Sequence, residues 1–134
     1  MTQHARGPFE VKLVPQSSDV PAEGATLGRM SIDKQFHGEL EATSRGEMLT
    51  AMTAVKGSAG YVAIERVSGT LHGRRGTFAL QHTGIMTRGV PQLVITVVPD
   101  SGTGELAGIT GRVDIVITGA QHEYVFDYTL DAGA

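Results

Sequence analysis

The chain contains no cysteine. Disulfide frameworks, thiolate metal sites and cysteine nucleophiles are therefore excluded together. Long apolar runs are also missing. No stretch approaches the roughly 20 apolar residues of a membrane-spanning helix. The N-terminal "MTQHARGPFEVKLV" has no apolar run of signal-peptide length. These absences lead to the expectation of a soluble, cytoplasmic protein that does not contact membrane. Charge of one sign is lacking too: 11 Lys and Arg against 14 Asp and Glu give a formal net charge of −3. That is too little positive charge to draw a phosphate backbone, so nucleic acid is not an expected partner. The glycine-rich "DSGTGELAG" lacks the Lys-Ser/Thr of a phosphate loop, and no Gly-x-Ser-x-Gly elbow occurs. No cofactor is expected.

What the chain does have is glycine, 18 residues against five prolines. The glycines recur at intervals of roughly ten residues, as turn signals between β-rich runs do in sandwiches and barrels. Candidate strands are Phe9–Val14, Thr26–Phe36, Glu39–Val55, Tyr61–Leu71, Arg75–Gly84, Pro91–Val98, Gly111–Gly119 and His122–Leu130. Most alternate with a period of two, as in Ile109, Val113, Ile115, Ile117 and in Tyr124, Phe126, Tyr128, Leu130. "GEMLTAM", Gly46–Met52, is the best helical alternative and is read as strand. With 134 residues the expectation is one domain over 1–134, an all-β, antiparallel, eight-stranded barrel, because closure removes exposed edges. Val98–Gly111 is expected to loop across one barrel end.

"YVAIERVSGTLHGRRGTFALQHTG", Tyr61 to Gly84, carries the most information. A two-residue loop at His72-Gly73 suits a type I′ turn, since histidine tolerates the left-handed region and glycine prefers it. Leu71 then faces Arg74, Val67 faces Phe78, Glu65 faces Leu80 and Ala63 faces His82. One face carries Tyr61, Ala63, Glu65, Val67, Phe78, Leu80 and His82; the other carries Val62, Ile64, Arg66, Thr77, Ala79 and Gln81. The first is bulkier and is assigned to the interior. Glu65 and His82 become diagonal neighbours, with α-carbons on the order of 7–8 Å apart, close enough for their side chains to meet. In "QFHGEL" a two-residue loop would put Phe36, Ile32 and Met30 on the face of Glu39, Glu41 and Arg45. A three-residue loop with a bulge, matching Phe36 and Ile32 to Leu40 and Ser44, agrees better with the apolar pattern. The direction of Glu41 and Glu47 stays open.

"VAIERVSGTLHGRRGTFALQHTG", "VVPDSGTGELAGITG", "HEYVFDYTL" and "KQFHGELEATSRGEMLTA" together resemble the bacterial family called domain of unknown function 3224. The resemblance runs from about Lys34 to Leu130. It implies a barrel like that of plant allene oxide cyclase, with a calycin-like barrel as the alternative, and it supplies no reaction. His72 departs from the family's turn, where Asp or a similar turn former is usual.

The functional expectations follow from the interior face. Glu65 and His82 are the candidate catalytic pair, an acid–base couple in which burial raises the carboxyl pKa and a charged imidazole lowers it. The alternative is that they only satisfy each other inside a filled barrel. Tyr61, Phe78, Leu80, Tyr124 and Tyr128 are candidate ligand-binding residues. The five histidines are scattered, so no metal site is expected. Three functions fit: a barrel binding a small hydrophobic molecule, an isomerase or cyclase using Glu65 and His82 for proton transfer, and a structural barrel without ligand. Fold analogy also gives the expectation of a homo-oligomer.

Overall fold

Strong β-formers at alternate positions, divided by glycine turns, leave the chain one economical way to satisfy its backbone: a closed meander. A computed structural model describes residues 2–18 and 23–130. Eight antiparallel strands close a barrel in sequence order: β1 (Gln3–Ser18), β2 (Ala25–Phe36), β3 (Leu40–Thr53), β4 (Ala59–Leu71), β5 (Arg74–Thr87), β6 (Val90–Val97), β7 (Thr110–Thr118) and β8 (Gln121–Thr129), with β8 returning to β1. The only helical element among the described residues is the 3-10 turn Gly104–Leu106. Gly46–Met52 lies inside β3. No helix among the described residues is long and apolar enough to cross a membrane.

The β4–β5 hairpin has the register its turn chemistry dictates. Leu71 pairs with Arg74, Val67 with Phe78, Glu65 with Leu80 and Ala63 with His82. His72 and Gly73 both have positive φ, 46° and 80°, the signature of a type I′ turn, whose twist matches that of the strands it joins. The same device, Arg88-Gly89, joins β5 to β6 and extends both strands beyond the runs expected from sequence. Val67, Phe78, Leu80, Glu65 and His82 are buried, while Val62 and Ile64 are half exposed.

The β2–β3 hairpin keeps the expected face but not the expected register. Phe36 pairs with Ala42 and Ile32 with Gly46, two residues from the bulged pairing. A shift of two leaves parity intact, so Leu40, Ala42 and Ser44 still point inward, and Glu41 and Glu47 point to solvent. The cause is distant in sequence. The Tyr124 hydroxyl donates to His37 O (2.7 Å) and accepts from Leu40 N–H (2.8 Å), holding a wider loop than a local turn would form.

The two barrel ends differ. At one end Leu40, Leu71, Phe78, Phe126, Tyr128, Leu106 and Ile109 form a packed core. As expected, Val98–Gly111 crosses this end. It also completes the hydrogen bonding of β5 beyond the last β6 pair. Val98 N–H donates to Ala79 O, Ala79 N–H to Ser101 Oγ, Thr103 N–H to Thr77 O, and Arg75 N–H to Glu105 Oε1. At the other end β6 and β7 diverge, paired only at Ile95–Val113 and Thr96–Arg112. Ile117, which alternates in step with Ile109 and Val113, is therefore 62% exposed. It has the parity of the buried Val113, and β8 pairs with it at His122, but β6 does not reach its other side.

Candidate functional site

Halfway along the barrel, four consecutive strands each send one polar side chain inward: Lys34 from β2, Ser44 from β3, Glu65 from β4 and His82 from β5. The Glu65 carboxylate collects all three of the others. Ser44 Oγ donates to Oε1 at 2.8 Å, Lys34 Nζ donates to Oε2 at 2.8 Å, and His82 Nε2 lies 2.5 Å from Oε2. The Lys34 ammonium also lies 5.5 Å and 5.8 Å from the ring centres of Phe9 and Phe36, whose electron-rich faces partly replace its lost water. No buried side-chain nitrogen or oxygen among the described residues is left without a partner.

Burial by itself would raise the Glu65 pKa. The hydrogen bond from His82 and the charge and hydrogen bond of Lys34 more than offset it, holding the carboxyl at about 2. Glu65 is therefore a fixed anion at neutral pH, well suited to orient His82 and poorly suited to exchange a proton itself.

One layer nearer the open end lies an apolar cavity of about 730 Å³. Its walls include Met30, Met48, Met52, Met86, Leu93 and Tyr61. Every methionine after the first faces it, and these flexible, polarisable side chains adapt to irregular ligands. Tyr61 joins cavity and ion cluster. Its ring lies 6.3 Å from that of His82 and covers Gly84, where an added Cβ would fall 2.2 Å from Tyr61 Cε1. Burial, and then the charge of Glu65, raise the Tyr61 pKa, so its hydroxyl keeps its proton.

Glu65, His82 and Tyr61 are thus brought together as the alternation implies. The other four candidate ligand residues sit elsewhere. Phe78 and Tyr128 pack in the closed end, and Leu80 and Tyr124 border a gap of about 10 Å³ beside Lys34 and His82, room for about one water. None of the four lines the large cavity. Tyr128 bonds His72 and Gln3, and Tyr124 anchors the β2–β3 loop. Lys34 and Ser44 were not singled out in the sequence, although both interrupt an inward-facing apolar parity, the signal that marked Glu65 and His82. Among the described residues no group of three or more His, Cys, Asp or Glu side chains is placed to hold a metal.

A meander barrel with a buried ion cluster beneath a methionine-lined mouth is the class that fold and site define. The chain belongs to a family described as protein of unknown function (DUF3224), whose model matches residues 5–128. It is similar to the crystal structure of a protein with unknown function from the DUF3224 family from Shewanella oneidensis MR-1. The two share 53% identity, with 99% of this chain and 100% of that one covered and a TM-score of 0.94. No curated protein matches the chain.

Proposed function

We propose that this protein binds a small hydrophobic molecule in the open end of its barrel. The observation that carries the reading is the cavity: about 730 Å³, lined mainly by methionine and aliphatic side chains with Tyr61 among them. Binding pockets for small molecules commonly fall in the range of about 300–1,000 Å³, with mostly apolar walls and a few polar groups that fix orientation. The ion cluster beneath supports the mouth. It ties β2, β3, β4 and β5 together at one level and fixes His82, against which Tyr61 rests.

The test is to fill the cavity without disturbing the core. Thr50 faces inward opposite Tyr61 and lines the cavity. Thr50→Trp is expected to weaken binding of a neutral apolar dye such as Nile red at least ~10-fold, a loss equivalent to about 1.4 kcal/mol, with the melting temperature maintained. A wild-type protein that takes up no neutral apolar probe, or a Thr50→Trp variant that binds it equally well, rejects the reading.

Proton transfer on a bound molecule is the second reading, favoured by the contact between Tyr61 in the cavity wall and His82 in the cluster. In this arrangement Glu65 orients and His82 carries the proton. His82→Gln would then retain ligand binding and lose turnover. Retained turnover removes His82 from that role.

A further inference from the structure

The outer face of the barrel beside the mouth carries a contiguous apolar surface. Leu49 lies opposite Val62, Val62 opposite Thr83, and Thr83 opposite Val94. In the next row Leu27 faces Ala51, Ala51 faces Gly60, and Gly60 faces Ile85. Ile64 stands one row further in, between Glu47 and Gln81. Alternation puts these on the outer side of the sheet, with Gly60 and Ile85 also reaching the cavity rim. Leu27, Leu49, Val62, Ile64, Ile85 and Val94 have relative exposures between 49% and 57%. They form one continuous surface across β2 to β6, unlike the single exposed aliphatics that any surface carries.

Six half-exposed aliphatic side chains amount to roughly 500 Å² of apolar surface, at the upper end of the 300–600 Å² typical of the largest patch on a monomer. With the bordering Thr83, Gln81, Gln92 and Arg29 included, the face approaches the roughly 800 Å² that each partner buries in a standard interface. Charge on this face is balanced. Arg29 and Glu47 at its edge are paired with each other at 3.4 Å, and the rows from Leu49 to Val94 and from Leu27 to Gln92 hold no charged side chain, so a second copy can cover them without burying an unpaired charge. Its centre, Val62, Ile64, Ile85 and Val94, is β-branched and lies on paired strands, the kind of surface that packs sheet against sheet at about 10 Å.

We infer that this outer face of β2 to β6 is the interface between two copies of this chain, joined sheet to sheet. The test residue Val62 does not line the cavity, so this inference and the ligand-binding reading fail separately.

Sedimentation of the full chain across a concentration series tests the inference. The expected mass is that of two chains. Val62→Glu, at an exposed position where the fold tolerates charge, is expected to raise the dissociation constant by at least roughly 30-fold, the loss of a central interface residue. Val116→Glu, on β7 outside this face, leaves the dimer intact. A wild-type mass of one chain at about 100 μM, weaker than any specific dimer worth the name, overturns the inference. So does any assembly of other than two chains, or a dimer that Val62→Glu leaves unchanged or Val116→Glu dissociates equally. Wild-type monomer that floats with phosphatidylcholine vesicles, and ceases to in Val62→Glu, assigns the face to lipid and overturns it as well.

Discussion

Replacing Glu65 with alanine is expected to destabilise the barrel by about 3–5 kcal/mol, because it leaves the buried Lys34 ammonium without its counter-ion. The charge left behind, and not the lost contact, makes the effect large. The double variant Lys34→Met, Glu65→Leu therefore recovers most of the stability, since apolar replacement of a whole buried pair is often close to neutral. Urea unfolding of the two variants against wild type measures both. Equal losses in the single and double variants would mean that the cluster is not electrostatically coupled.

The same group sets an acid dependence. The Glu65 pKa in the fold, about 2, lies below the 4.5 of an unperturbed carboxyl. Its stabilisation is thus fully present above pH 4.5 and is lost as pH falls through about 2. Between pH 6 and pH 3 this removes about 2 kcal/mol. In Glu65→Gln that component is missing, so the variant's stability is expected to fall by about 2 kcal/mol less than wild type over this interval. Parallel pH dependences would show that Glu65 is not held as an anion by His82 and Lys34.

Leu106→Ala is expected to cost about 3 kcal/mol, within the 2–5 kcal/mol of a fully buried leucine truncated in a packed site. Leu106 sits on the 3-10 turn and is almost wholly buried with Ile109 in the closed-end core. The segment that carries it also supplies the partners of β5 from Arg75 to Ala79. It works as an irregular continuation of the sheet and holds the barrel shut. At the other end Met52, largely exposed, is expected to tolerate alanine within about 0.5 kcal/mol. Denaturant midpoints of the two variants measure the contrast between a sealed end and an open one. A Leu106→Ala cost below about 1 kcal/mol would mean that the loop merely lies over the core.

The register from Tyr61 to Gly84 was legible because two local signals agree. The His72-Gly73 turn and the apolar alternation specify the same pairing, and neither needs information from elsewhere in the chain. The β2–β3 register was not legible, since the loop width depends on Tyr124, which lies 84 positions from Leu40. The inward face of that hairpin survived the error because the shift was even. Ile117 shows another limit: alternation tells which side a residue faces, not whether a neighbouring strand covers that side. The position of the cavity was hidden for the same reason. Phe78, Leu80, Tyr124 and Tyr128 share the inward face with Tyr61, and only their level along the barrel separates packed core from open mouth. Lys34 and Ser44 were within reach of the parity test that identified Glu65 and His82.

Of the eight seams that close the barrel, seven join strands adjacent in sequence, and β1–β8 joins the extremes. Gln3 and Tyr128, paired across that seam, are 125 positions apart. Bringing them together costs the most chain entropy of any contact in the barrel, and it becomes favourable only after the intervening hairpins have shortened the path. The ring is thus expected to form as an open ribbon that closes late. Until it does, β1 and β8 are bare edges able to pair with another chain, a hazard that lasts as long as closure takes.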